Sequence, residues 1–194
     1  MYKLFYRYTR VLTTVIIVLL FSASLWQLTA ASWIQGKAII AQHLLNSSWE
    51  KTLTESNQAA PDKPAPHRPW PWADTWPVAK LIVPHYGIEQ IILAGDSGSS
   101  LAFGPGYSLA SAAPNSTGTT MISGHRDTHF SFLKKLKLND TLLIQTTDKT
   151  IRYQIHDMQV VDSTSFMLQQ DDDGQSLVLV TCYPFDALTS GGSS

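Results

Sequence analysis

Two things are scarce in this sequence of 194 residues: cysteine, which occurs once, and net charge, which is −1 with histidine neutral. A single cysteine excludes an internal disulfide and a cysteine zinc cluster. Cys182 is therefore either a small buried hydrophobe or a reactive thiol. With 14 basic against 15 acidic residues there is no electrostatic footprint for nucleic acid. No strand-helix-strand rhythm runs through the chain, which argues against a doubly wound parallel sheet. The hydrophobic fraction of 44% is enough for one core of ordinary size.

The chain begins with a membrane signal. Met1 to Arg10 carries Lys3, Arg7 and Arg10 and no acid, and Val11 to Ala31 continues without a charged residue. A bilayer core needs roughly 20 mostly apolar residues, and a basic amino flank keeps that end in the cytoplasm. The competing reading is a cleavable signal peptide with Thr29-Ala30-Ala31 near its cut site. Trp26 and Trp33, placed as interfacial aromatics, favour the uncleaved anchor. Either reading exports the remainder of the chain. From Trp33 to about Leu53, Ile34, Ala38, Ala41, Leu45 and Trp49 recur at helical spacing, which predicts an amphipathic stalk. The proline-rich run AAPDKPAPHRPWPWADTW then marks a boundary. Its Trp70-Pro71-Trp72 cluster is too aromatic for a plain linker and is expected to pack back on the globular part. The resulting division is 1–32 tip and anchor, 33–69 stalk and linker, and 70–194 globular domain.

Beyond Trp76 the texture is that of short strands punctuated by Gly, Pro, Asn and Asp. Candidates are Val78–Val83, Glu89–Leu93, Thr119–Ser123, a hairpin of Thr141–Thr146 and Thr150–Val161, and a buried strand at Ser176–Thr181. Phe130–Leu138 reads as a short helix with its lysines solvated. Many short strands and irregular loops predict a mainly β fold, a closed or nearly closed β-barrel with short helices.

Two residues with chemistry stand at strand ends. Leu177 to Val180 delivers Cys182 to the carboxyl end of its strand, where Tyr183-Pro184 stops the ladder. His125 leaves its own strand just after Gly124. Neighbouring strands would bring thiol and imidazole together, and an imidazolium beside a thiol activates it and can protonate a leaving amine. His125, Asp127 and His129 also have zinc-binding side chains, but neither a fourth ligand nor a general-base glutamate stands at a recognisable spacing, so no metal is expected. The blander role for Asp127 and His129 is to shape the loop.

Ser123-Gly124-His125-Arg126-Asp127 together with Leu179-Val180-Thr181-Cys182 resembles the sortases, membrane-anchored cysteine transpeptidases. Trp70-Pro71-Trp72-Ala73-Asp74, Leu101-Ala102-Phe103-Gly104-Pro105-Gly106, Gly124-His125-Arg126-Asp127-Thr128-His129-Phe130 and Thr181-Cys182-Tyr183-Pro184-Phe185 are similar to the Gram-negative (class GN) subgroup. The resemblance implies a sortase-like barrel that cleaves an LPXTG-like sorting signal near a client protein's carboxyl terminus. It implies Cys182 as nucleophile, His125 as acid and base, Thr181 as a contact to bound peptide, no cofactor, and an amine acceptor that resolves a thioacyl-enzyme. It also implies a single-pass protein of the bacterial inner membrane, amino end in the cytoplasm and catalytic domain in the periplasm. The family's further arginine, on a strand after the cysteine, has no match before Thr189-Ser190-Gly191-Gly192-Ser193-Ser194. A chain lacking that last strand is the expectation, with impaired activity. Arg126 is expected to point away from the site, Arg152 opens a hairpin strand and Arg68 lies in the linker. Asp171-Asp172-Asp173 could imitate a calcium loop, but reads better as a solvated turn. A Cys-His peptidase or amidase releasing to water, and a non-catalytic peptide-binding barrel, are the alternatives.

Overall fold

The computed structural model describes residues 2–58, 66–162, 164 and 174–186. They fall into two compact units, Met1–Ala41 and Gln42–Ser194. The acidic run Asp171-Asp172-Asp173 and the tail from Thr189 lie outside the described residues.

The first unit is helical, part of an α-helix α1 over Tyr2–Gln58. Its window Leu12–Thr29 has mean hydropathy 1.8 and no buried residue, so it is long and apolar enough to cross a membrane. Three hydroxyls there are satisfied locally. Ser22 and Ser24 donate to the carbonyls of Val18 and Leu20 at 2.9 and 2.8 Å, and Thr29 donates to Trp26 at 2.8 Å. Such back-bonding satisfies these three hydroxyls within the helix. The Lys37 ammonium lies 5.0 Å from the centre of the exposed Trp33 ring.

The second unit is mainly β. Its strands are β1 (Pro77–Val83), β2 (Ile88–Ala94), β3 (Gly106–Tyr107), β4 (Gly118–Ser123), β5 (Thr141–Gln145), β6 (Thr150–Gln154) and β7 (Gln175–Val180), with a one-turn helix α2 at Gly98–Leu101. They form one nearly closed sheet in the order β6-β5-β1-β2-β3-β4-β7. Most neighbours are antiparallel, but β2 with β3 and β4 with β7 are parallel. In β1 the residues Pro77, Ala79, Leu81 and Val83 point inward and the alternate ones lie nearer solvent, the period of two expected of a half-buried strand. These side chains meet Ile92, Ile122, Phe130, Leu142 and Ile144 in the barrel core.

β2 departs from alternation, with Ile91 to Ala94 all buried. The run is apolar because both of its faces are covered. Ile92 enters the barrel, whereas Ile91 and Leu93 pack outward against Leu45 and Trp49 of α1, with Trp70 and Phe103 at the margin. The carboxyl end of α1, read from sequence as stalk, therefore contributes a second small core. Trp49 is fully buried, although its indole N–H has no acceptor among the described residues. The linker is fastened to the same helix, with Ser48 donating to the His67 carbonyl and the His67 ring 2.6 Å from the Glu55 carboxylate. Trp70 stacks edge-on with Phe103 at 4.9 Å, the packing expected of the cluster, but Trp72 is 81% exposed.

Three elements differ from the expectations drawn from sequence. β6 stops at Gln154 rather than Val161: Ile155 still bonds through its backbone to Asp140 and Asn139, and the partner chain turns at Asn139, whose φ is 71°. Phe130–Leu138 yields only a 3-10 helix at Ser131–Lys135, with Phe132 buried and the lysines in solvent. β7, expected to be buried, is only half so, with Val180 at 37% exposure, because among the described residues it pairs with β4 alone.

Candidate active site

The site is built where β4 and β7 end side by side. Their parallel register runs from Gly118↔Gln175 to Ser123↔Val180. Parallel strands in register carry equivalent positions at equal height, so His125 and Cys182, each two residues past the last pair, emerge at the same end of the barrel. Both are exposed. The ladder does not stop at Val180. Gly124 N–H donates to the Val180 carbonyl at 3.1 Å, and the Thr181 hydroxyl donates to the Gly124 carbonyl at 2.8 Å. The Thr181 hydroxyl thus joins the two loops.

The histidine loop is closed on itself. The His125 carbonyl accepts from Phe130 N–H at 2.9 Å and from Thr128 N–H at 3.4 Å. Gln90 of β2 donates its side-chain amide to the His129 carbonyl at 3.0 Å, tying the loop to the barrel wall. Phe130, fully buried, fills the space under the turn and meets Phe132 edge-on at 5.8 Å. Gly124 is required here by close approach: a Cβ would stand 2.7 Å from the Phe130 ring.

Arg126 does not point away from the site. Its guanidinium donates to the Pro184 carbonyl at 2.9 Å, reaching past Cys182 to the loop beyond it. Sequence reasoning misses this contact because it judges a residue beside a candidate base from that neighbour alone, without the loop facing it. Arg68 donates to the Ala73 carbonyl at 2.7 Å in the linker, and Arg152 lies on β6, so neither stands beside Cys182. No arginine follows Cys182 in the sequence.

His129 is half-buried close to His125. Burial depresses its pKa below the usual histidine value, the charge of His125 adds to the depression, and Asp127 opposes it. The folded state then binds fewer protons than the unfolded chain between that lowered value and the unperturbed one near 6.5. This contribution to stability is complete above about pH 6.5 and is lost as the pH falls through the window. Denaturant melts at pH 7 and pH 5 check it: the loss on acidification is expected to be smaller in His129→Gln than in the wild type, and an equal loss would contradict the assignment. Among the described residues no three His, Cys, Asp or Glu side chains are grouped to hold a metal, His125, Asp127 and His129 included.

A thiol and an imidazole at matched strand ends, with a buried floor beneath the imidazole loop, form an arrangement suited to acyl transfer. Residues 81–192 match the sortase domain family. Sortase D of Bacillus subtilis (strain 168) is 33% identical over 107 residues, 54% of this chain and 54% of that protein, so the chain spans about half the length of this curated relative. Among solved structures, a sortase D5 transpeptidase of Clostridium perfringens is 20% identical with a TM-score of 0.58, covering 75% of this chain and 91% of that one. Sortase A from Corynebacterium diphtheriae is 20% identical with a TM-score of 0.54, covering 81% and 89%. At those identities the structures speak for a shared barrel, and the match over residues 81–192 decides membership: the chain belongs to the sortase family.

Proposed function

We propose that this protein is a membrane-anchored cysteine transpeptidase. The Cys182 thiolate attacks the carbonyl of a sorting signal of the LPXTG type, and the peptide C–N bond breaks as His125 gives its proton to the departing amine. The thioester on Cys182 is then attacked by an acceptor amine, whose proton returns to His125 as the thiolate leaves. The observation that supports this reading is the β4–β7 register, whose last pair, Ser123↔Val180, stands two residues before both His125 and Cys182. Thr181 lines the peptide groove through its backbone, and no cofactor enters any step. Residues 1–32 serve as basic tip and anchor, amino end in the cytoplasm. The domain from Trp70 onward carries the reaction, with the carboxyl end of α1 and the linker packed to it. Its place is the inner membrane, facing the periplasm. The four motifs around Trp70, Leu101, His125 and Cys182 support the class GN subgroup.

A test uses a labelled sorting-signal peptide with and without excess primary amine. An amide-linked product that replaces the hydrolysed one as amine rises is the expected result. Release to water at every amine concentration would identify a Cys-His peptidase instead.

A further inference from the structure

Among the described residues, hydrogen bonds join the carboxyl ends of β4 and β7 and the loops after them at three places, and their positions along the chain are informative. Gly124 N–H to Val180 O and Thr181 Oγ1 to Gly124 O lie on the barrel side of His125 and Cys182. Arg126 to Pro184 O lies on the far side of both. The two candidate catalytic residues are therefore bracketed, one residue on either side of His125 and one or two on either side of Cys182. Strand pairing alone holds only the near side. Past Val180 the chain has left β7, and Cys182, Tyr183 and Pro184 are all exposed, with the half-buried Phe185 following, so strand pairing does not by itself set how far the cysteine loop stands from the histidine loop. The far bracket rests instead on a charged donor and a backbone carbonyl, a charge-assisted bond that is shorter and stronger than a neutral one. The histidine side of this bracket is rigid, because the turn carrying Arg126 is closed by Phe130 N–H on His125 O and held to β2 by Gln90.

We infer that Arg126 is a positioning residue: it buckles the cysteine loop to the histidine loop and sets the separation of the Cys182 thiol from the His125 imidazole. It acts through the Pro184 carbonyl and touches no reacting atom in this role. The inference rests on the acyl-transfer reading above. A misplacement of reacting groups by about 1 Å can cost about 10²-fold, so a bond between backbone and guanidinium is enough to matter. Lysine at this position keeps the charge but not the planar fork, and retains only part of the effect.

The test measures two rates on the full chain, acylation by a sorting-signal peptide and alkylation of Cys182 by iodoacetamide at pH 7, together with the melting temperature. In Arg126→Gln acylation is expected to fall about 10- to 100-fold with KM within about twofold, and alkylation to slow in parallel at an unchanged melting temperature. Arg126→Lys is expected to recover part of both rates. Wild-type rates in Arg126→Gln would overturn the inference. So would rates that fall only in step with the melting temperature in both variants. Should the wild type form no acyl-enzyme, the transpeptidase reading fails, and alkylation still decides whether Arg126 positions the thiol.

Discussion

Replacing Cys182 by alanine is expected to remove peptide cleavage and amine transfer together, by at least about 10³-fold, while leaving the fold intact. The size follows from the role. A nucleophile that carries the acyl group cannot be replaced by orientation alone, and what survives its removal is the small catalysis given by binding. The fold is expected to survive because Cys182 is exposed, past the end of β7, and supports no core contact. Parallel melts of the wild type and Cys182→Ala, with cleavage followed on the same samples, separate the two effects. Cleavage that persists in the variant would leave the non-catalytic or a different catalytic reading in its place.

The second large effect is on stability and reaches the site indirectly. Phe130→Ala is expected to destabilise the barrel by about 3–5 kcal/mol, the range for removing a buried aromatic side chain. Phe130 is fully buried, meets Phe132 edge-on and occupies the space a Cβ at Gly124 would enter, so the cavity would open beside the histidine turn. Activity is expected to fall by more than the unfolded fraction explains, because the turn loses its floor while its own hydrogen bonds remain. Phe130→Leu, which keeps most of the volume, is expected to lose less of both. Equilibrium denaturation and initial rates at a temperature where each variant is folded provide the check. An Ala variant as active as Leu would show that the ring supports the barrel but not the turn.

The sequence shows β1 and β5 as short apolar runs bounded by turn residues, and the hairpin of β5 and β6 is marked by Thr147-Asp148-Lys149, but the inward faces do not show, because Val78, Ile82 and Leu143 are as apolar as the buried residues beside them. It shows less wherever a second surface intervenes. Ile91 to Leu93 reads as an apolar run without a face, because half of it is covered by Leu45 and Trp49, which lie far away in the chain. β3, two residues long, carries no period to detect, yet it joins β2 to β4 and so places His125 in the sheet. The overlong reading of β6 has the same origin: residues up to Val161 have strand character, but strand length is set by the partner chain, which turns at Asn139. At the site, the two reactive side chains are visible in the sequence as strand-end residues, whereas their fastening is not. The reach of Arg126 to Pro184 and of Thr181 to Gly124 depends on the parallel pairing of strands distant in sequence, which local patterning does not encode.

The central claim, that Cys182 takes the acyl group of a peptide, is tested most directly by the mass of the intact protein after brief incubation with a sorting-signal peptide and no amine. The account predicts an added mass equal to the acyl portion of the peptide. It should be located on Cys182 by digestion, released by hydroxylamine as a thioester is, and absent from Cys182→Ala. An unmodified protein recovered alongside cleaved peptide, or an adduct on another residue, would contradict it.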